Sequence, residues 1–264
     1  MRLLAEKLTV RLAGRRILDG LDVALEPGEC VGLIGPNGAG KSTLLRALAG
    51  VLPVQGAVTL DGRPLAAWSG RERACRVGYL AQGREVAWPI AVAEVVALGR
   101  LPHRAPFAQD TEADRTAVAE ALRLADIEAL ADRSADTLSG GEVARMLLAR
   151  LLAQQTPILL ADEPAAGLDP AHQLATMQIF ADLARAGRGV LVSLHDLTLA
   201  ARWCDRLILM QEGSIVAAGA PGEVLTADRL AAAYGVEARI DRNDDGMIVV
   251  PLRLVGRGSA GRMP

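Results

Sequence analysis

Two periodicities alternate along this chain. Short apolar runs that end in glycine or an acidic residue, "ECVGLIG" (29–35), "PILLADEP" (157–164) and "GVLVSLHD" (189–196), read as buried strands. Stretches with an apolar residue every third or fourth position, "STLLRALAG" (42–50) and "TAVAEALRLADIEALA" (116–131), read as helices that bury one face. "RRILDGLDVALEPGE" (15–29) and "AVTLDG" (57–62) predict strands joined by Asp-Gly and Pro-Gly turns. "RLILMQEGSIVAAG" (206–219) predicts a hairpin turning at Glu212-Gly213. Residues 86–137 change to helical spacing around a Pro-rich loop, "LPHRAPF". From about residue 220, "EVLTADRLAAAYGV" predicts a helix, "ARIDRNDDGMIVVPL" a second hairpin, and the tail "GRGSAGRMP" disorder. Strands alternating with helices argue for an α/β core, mostly parallel, interrupted by a helical insertion.

Composition narrows the class. At 264 residues the chain holds one large or two small domains with a substantial core. Its formal net charge is −2, so no global field argues for nucleic acid or an anionic membrane. No apolar run approaches the ~18 residues of a membrane span. The opening "MRLLAEKLTV" carries Glu6 and Lys7 and no cleavage-site pattern, so no signal peptide is expected. Cys30, Cys75 and Cys204 form no CxxC pair; reduced thiols are expected, with Cys30 in a buried strand. The basic residues are 27 Arg against two Lys, Lys7 and Lys41. An Arg-rich chain that keeps Lys at 41 has a use there for a compact ammonium.

"GPNGAGKST" (35–43) fits G-x-x-x-x-G-K-[ST] between a strand and a helix. Gly35, Pro36, Asn37, Gly38, Ala39 and Gly40 are expected to form an anion-binding nest around phosphates, each but Pro36 offering a backbone N–H. Lys41 would reach the β- and γ-phosphates, Ser42 would ligate Mg²⁺, and Thr43 continues the motif. "ILLADE" (158–163) ends an apolar strand in two acids. Asp162 suits Mg²⁺ and Glu163 suits accepting a proton from the attacking water, against the competing reading of a helix N-cap. His195 follows the strand "VLVSL" and is open to two readings, structural or directed at the γ-phosphate. His103 and His172 read as structural. Gln82 either ligates Mg²⁺ or ends a strand. Asp241, Asn243, Asp245 and Gly246 match the opening of a calcium loop, but Leu252 stands where a bidentate Glu is needed, so a polar β-turn is expected. "LSGGE" (138–142) contains a capping box of Ser139 and Glu142. The box leaves Gly140 and Gly141 unexplained; adjacent glycines at a helix start suit a phosphate that approaches closely.

The phosphate loop, Gln82, "LSGGE", "ILLADE", "GLD" (167–169) and His195 occur in the order and rough spacing of an ATP-binding cassette (ABC) subunit, which the chain resembles from residue 1 to about 220. The resemblance implies a RecA-like P-loop core with an antiparallel β subdomain over 1–219, a helical subdomain inserted at about 86–155, and an extension over 220–264. It implies an ATPase using ATP and Mg²⁺, with Glu163 and His195 catalytic and Ser42, Gln82 and Asp162 at the metal. It also implies a head-to-tail homodimer in which Ser139, Gly140, Gly141, Glu142 and Asp169 act on the ATP held by the partner's loop. Two positions depart from the family pattern. Glu142 stands where Gln is commonest, and Arg11 and Leu12 stand where an adenine-stacking aromatic is expected.

Residues 82–107 and the segment "GAPGEVLTADRLAAAYGVEARI" (219–240) are similar to ATPases of importers for iron–siderophore complexes, haem and cobalamin. This implies two copies of the chain, two transmembrane permease subunits and an external substrate-binding protein, with the chain peripheral at the cytoplasmic face of the inner or plasma membrane. The alternatives are the ATPase subunit of an exporter and a soluble ABC ATPase acting on nucleic acid or ribosomes. One cassette without a long heptad array or basic arm argues against the soluble class, so no nucleic acid is expected. Cargo is recognised by the partners and is not written in this chain.

Overall fold

Leu, Ile and Val crowd the short strands because both faces of those strands are covered. The computed structural model describes residues 1–83, 89–105, 108–243 and 246–255. Its first half runs β1 (Leu3–Leu12), β2 (Arg15–Leu25), β3 (Cys30–Ile34), α1 (Lys41–Leu48), β4 (Gln55–Leu60), β5 (Arg63–Pro64), α2 (Gly70–Ala74), β6 (Val77–Leu80), α3 (Val92–Ala97), α4 (Glu112–Leu124) and α5 (Gly140–Ala153). The rest runs β7 (Ile158–Asp162), α6 (Pro170–Arg185), β8 (Gly189–Ser193), α7 (Leu197–Trp203), β9 (Arg206–Gln211), β10 (Ser214–Gly219), α8 (Pro221–Val224), α9 (Ala227–Tyr234), β11 (Val236–Asn243) and β12 (Gly246–Leu254).

The central sheet has the order β10-β9-β3-β8-β7-β6, parallel except for the edge strand β10. Every residue of β3, β7 and β8 is buried, which explains their unbroken apolar sequences. A second, antiparallel sheet, β2-β1-β4-β5, lies on one side. Its leucines share a core with α1 and one face of β3, β7 and β8. The opposite face packs against α3, α5, α6 and α7.

Three expectations are corrected. Asp19-Gly20 is not a turn: β2 continues through it, and the register slips between Leu8↔Leu21 and Val10↔Leu18. The extra residue is absorbed as a bulge, with the Gly20 N–H donating to Thr9 Oγ1 at 3.0 Å. The Pro-rich loop opens as a 3₁₀ helix, Leu98–His103. The helix expected after residue 220 is broken into α8 and α9, because Thr226 caps a new start by accepting from Arg229 N–H. The turns at Asp61-Gly62 and Glu212-Gly213 form where expected.

The segment after residue 220 is not set apart from the core. Leu225, Leu230, Ala233, Met247 and Val249 belong to the same buried cluster as the central sheet. Thr198 on α7 exchanges hydrogen bonds with the Val249 backbone at 3.1 and 3.3 Å. Asp241 and Asn243 of the calcium-like stretch lie in β11, while Asp245 and the tail 256–264 lie outside the described residues.

Candidate functional site

Parallel register decides which side chains meet. Leu33 of β3 pairs with Ser193 of β8, and Ser193 pairs with Asp162 of β7. The loop after β3, the acids after β7 and the residues after β8 therefore share one edge of the sheet, where open α/β sheets bind ligands.

The loop from Gly35 to Gly40 is shaped by close approaches. A Cβ on Gly35 would lie 2.2 Å from the Met210 carbonyl oxygen, and one on Gly40 would lie 2.8 Å from Leu18 Cδ2. Both residues also hold positive φ, 145° and 102°. From behind, Gly213 N–H donates to the Ala39 carbonyl at 3.0 Å. Pro36 is half-buried and Asn37 and Gly38 are exposed at the tip. Lys41 opens α1 and is only 6 % exposed; its Nζ donates back to the carbonyls of Gly35 at 2.7 Å and Pro36 at 3.2 Å. Burial lowers its pKa from the ordinary lysine value, and the charges of Glu163 and Asp162 push it back up.

Ligand pockets typically enclose about 300–1,000 Å³; the one here, about 620 Å³, is lined by residues 37–43 of the loop with Ile17, Gln82, Glu163 and His195. Glu163 is held on several sides. Gln82 Nε2 donates to its Oε2 at 2.9 Å, His195 Nε2 meets its Oε1, and its own N–H donates to Ser193 Oγ at 2.8 Å. Its backbone sits at φ 53°, a left-handed conformation that costs a non-glycine residue roughly 1–3 kcal/mol and gathers at functional sites. Beside it Asp162 is 1 % exposed. Ser193 Oγ donates to Asp162 Oδ1 at 2.8 Å, whereas Oδ2 is buried with no hydrogen-bond partner among the described residues. A buried carboxylate left half-satisfied is costly unless a cation completes it. The orphaned Asp162 oxygen, the Ser42 hydroxyl and the Gln82 amide oxygen are hard donors of the kind Mg²⁺ takes.

The second glycine pair lies elsewhere. Ser139 caps α5: its Oγ accepts from Glu142 N–H at 3.4 Å, and Glu142 Oε2 accepts from Ser139 N–H at 2.7 Å. Those bonds from Ser139 lower the Glu142 pKa. Among the described residues nothing asks for glycine here. A Cβ on Gly140 meets no atom within 4 Å, and one on Gly141 meets only Leu168 Cδ2 at 3.7 Å. Asp169 caps α6, accepting from His172 N–H at 3.0 Å and meeting His172 Nδ1 at 2.7 Å, and these bonds lower its pKa. Ser139, Gly140, Gly141, Glu142 and Asp169 are not among the walls of the cavity that Lys41 and Glu163 line. The site of one chain gathers the phosphate loop, Gln82, Asp162, Glu163 and His195, and leaves the other five outward.

The family model described as ABC transporter matches residues 18–166. The chain belongs to this family. As an ABC ATPase it hydrolyses ATP on a RecA-like P-loop core. It is 48% identical over 246 residues to the hemin import ATP-binding protein HmuV of Pseudomonas aeruginosa, covering 91% of this chain and 95% of that one. It is 42% identical over 249 residues to the cobalamin import ATP-binding protein BtuD of Halobacterium salinarum, covering 93% of this chain and 62% of that one. Among solved structures, a chain from an inward-facing ABC transporter provisionally assigned to the metal-chelate type superposes with a TM-score of 0.80 at 25% identity, covering 95% of this chain and 97% of that one. The dimeric bacterial ABC transporter cassette MJ0796 superposes with a TM-score of 0.75 at 27% identity, over 84% and 99%.

Two residues of this ABC ATPase site escape a reading of the sequence. Ile17, on the bulged strand β2, lines the cavity, whereas Leu12 ends β1 exposed. Ile17 thus supplies aliphatic surface to the cavity wall. Ser193 is fully buried between the two acids, and its one signal was a hydroxyl inside an apolar strand.

Proposed function

We propose that this ABC ATPase is the ATP-binding and ATP-hydrolysing subunit of a membrane importer for a metal chelate of the haem, cobalamin or iron–siderophore kind. Hydrolysis rests on one observation: Lys41, Gln82, Glu163 and His195 converge on one cavity. There the loop and Lys41 bind the phosphates, Glu163 accepts the proton of the attacking water, and His195 orients Glu163 from the opposite side to Gln82. Ser42, Gln82 and Asp162 would hold Mg²⁺, which when bound neutralises charge developing on the β- and γ-phosphate oxygens. Import is supported by the likeness to hemin and cobalamin import proteins along nearly the whole chain.

The glycines at 140 and 141 support a head-to-tail dimer, because their bareness serves nothing among the described residues of the chain. Ser139, Gly140, Gly141, Glu142 and Asp169 then act on the nucleotide held by the partner. On this reading residues 1–219 form the ATPase domain, with a helical subdomain at about 86–155, and 220–264 is a C-terminal extension whose described part shares the core of the central sheet. A groove of about 330 Å³ walled by Tyr79, Leu101, Pro102 and Leu151 gives a permease helix a place to dock, with Leu98 and Leu101 45% and 57% exposed. Residues 84–88 and 106–107 of the docking segment lie outside the described residues. No helix among the described residues is long and apolar enough to cross a membrane, so the chain would be held at the cytoplasmic face by its two permease subunits. An external binding protein would deliver the cargo.

The test is a pull-down of tagged Glu163→Gln in ATP from membranes of the source cell, with partners identified by mass spectrometry. Recovery of a polytopic permease, with a co-expressed binding protein that holds a metal chelate, is the expected result. Ribosomal or DNA-repair partners without a permease would overturn the transporter reading, and a permease that drives efflux in vesicles would overturn import.

A further inference from the structure

The structure assigns Ser193 a positioning role: one buried hydroxyl sets both carboxylates of the ATP site. This inference rests on the proposed roles of Asp162 and Glu163.

The geometry leaves Ser193 little freedom. It is the last residue of β8, fully buried, and paired in register with Asp162 on β7. Its O–H donates to Asp162 Oδ1 at 2.8 Å, and the same oxygen accepts from Glu163 N–H at 2.8 Å. A hydroxyl has one proton and two lone pairs, so donating to one acid and accepting from the backbone of the other uses it in both senses.

Each bond has a distinct consequence. The first occupies Oδ1 and leaves Oδ2 as the buried oxygen with no partner among the described residues, so the carboxylate is turned one way. A cation that binds Asp162 then finds the ligand already oriented. The second bond anchors the peptide N–H at the point where β7 ends and the chain swings to the left-handed φ of 53° at Glu163. An N–H so deep in the fold is costly to leave unpaired, so the bond favours this strained backbone over an extended one. That backbone aims the Glu163 side chain between Gln82 and His195. Ser193 therefore couples metal-ligand orientation to base orientation.

Two variants separate this from simple packing. Ser193→Ala removes the hydroxyl, and Ser193→Cys keeps nearly the same bulk but offers only a weak S–H donor and acceptor. Each leaves buried groups unpaired, and kcat is expected to fall about tenfold or more in both, with KM for ATP changed less than about threefold. A second readout does not depend on turnover. Binding of Mn²⁺ in the presence of ATP, followed by electron paramagnetic resonance, should weaken in both variants, while binding of a fluorescent ATP analogue without divalent metal stays as in the wild type. If Ser193→Cys matches wild type in kcat and Mn²⁺ binding, volume rather than hydrogen bonding is at work and the inference fails. It fails equally if both variants lose only melting temperature. Glu163→Gln is measured alongside: if that variant turns over ATP at the wild-type rate, it is the reading of the site, and not the role of Ser193 alone, that has failed.

Discussion

Lys41 and Glu163 pose opposite problems at the scale of single residues. The lysine is a cation kept in a buried place where its pKa is lowered, and the glutamate is an acid kept in a backbone conformation it resists. Lys41 Nζ lies 2.7 Å from the Gly35 carbonyl, so the loop closes around a point charge. A guanidinium is broader and planar and does not fit such a nest. Lys41→Arg is therefore expected to lose nucleotide affinity almost as fully as Lys41→Ala, by at least about tenfold in a fluorescent-nucleotide titration. Retention of wild-type affinity by the arginine variant would show that charge alone suffices. For Glu163→Gln, kcat should fall by about 10²–10⁴, the usual worth of a general base, with ATP still bound. Both residues were legible in the sequence, because one of only two lysines among 27 arginines and an acid pair ending an apolar strand are chemically unusual. Ser193 was not, since one hydroxyl in "VLVSL" carries no hint of which strand lies next to it.

At the scale of elements, the helical segment is held by a charge buried in an otherwise apolar region. Arg100, 6 % exposed, donates to Asp114 Oδ1 at 2.9 Å, to the Ala153 carbonyl at 2.8 Å and to Gln155 Oε1 at 3.0 Å. One guanidinium thereby ties the start of α4 to the end of α5. Asp114 is held well below the usual carboxylate range, first by the Arg100 hydrogen bond and then by Thr111, against the opposing effect of burial. A carboxylate depressed in the folded state stabilises the fold above its unfolded pKa of about 4, and this contribution is lost as pH falls from there towards the folded value. Denaturant midpoints of the wild type should therefore drop steeply below about pH 4. Asp114→Asn strands the Arg100 charge, which should cost about 3 kcal/mol or more near neutral pH and flatten that acid limb. A variant with wild-type midpoints throughout would show that the pair adds nothing net to stability, because Arg104, 3.3 Å from Asp114 Oδ2, is a second cation and cannot neutralise Arg100. Element identity was mostly legible from periodicity, because strands buried on both faces leave unbroken apolar runs. Connections were less so: Asp19-Gly20 has turn chemistry, yet pairing with β1 draws both residues into the strand as a bulge. Local propensity lost to tertiary pairing there.

For the whole molecule, the open question is why one chain displays two phosphate-suited glycine sites that do not face each other. Lys41 and Glu163 wall one cavity, and Ser139, Gly140 and Gly141 stand outside it with open space over Gly140. A monomer gives no physical reason for that bareness, while a head-to-tail pair gives one, since each γ-phosphate is then enclosed by two chains. The order of motifs could be read along the sequence, and the resemblance implied action across two chains, but that the signature is not among the walls of this cavity comes only from the fold. The consequence is measurable by mixing. Lys41→Ala cannot hold ATP productively, and Ser139→Arg places a long cation where a partner's phosphate must approach, so each variant alone should hydrolyse at background rate. In a heterodimer, the loop of the Ser139→Arg chain meets the intact signature of the Lys41→Ala chain, and one composite site is whole. Turnover should therefore reappear on mixing and rise with the fraction of heterodimer, while Ser139→Arg by itself still binds a fluorescent ATP analogue. If Ser139→Arg retains wild-type turnover, the signature does not approach the phosphate at all. If it loses nucleotide binding even as dilute monomer, the glycines serve the chain that carries them, and the two-chain site is wrong.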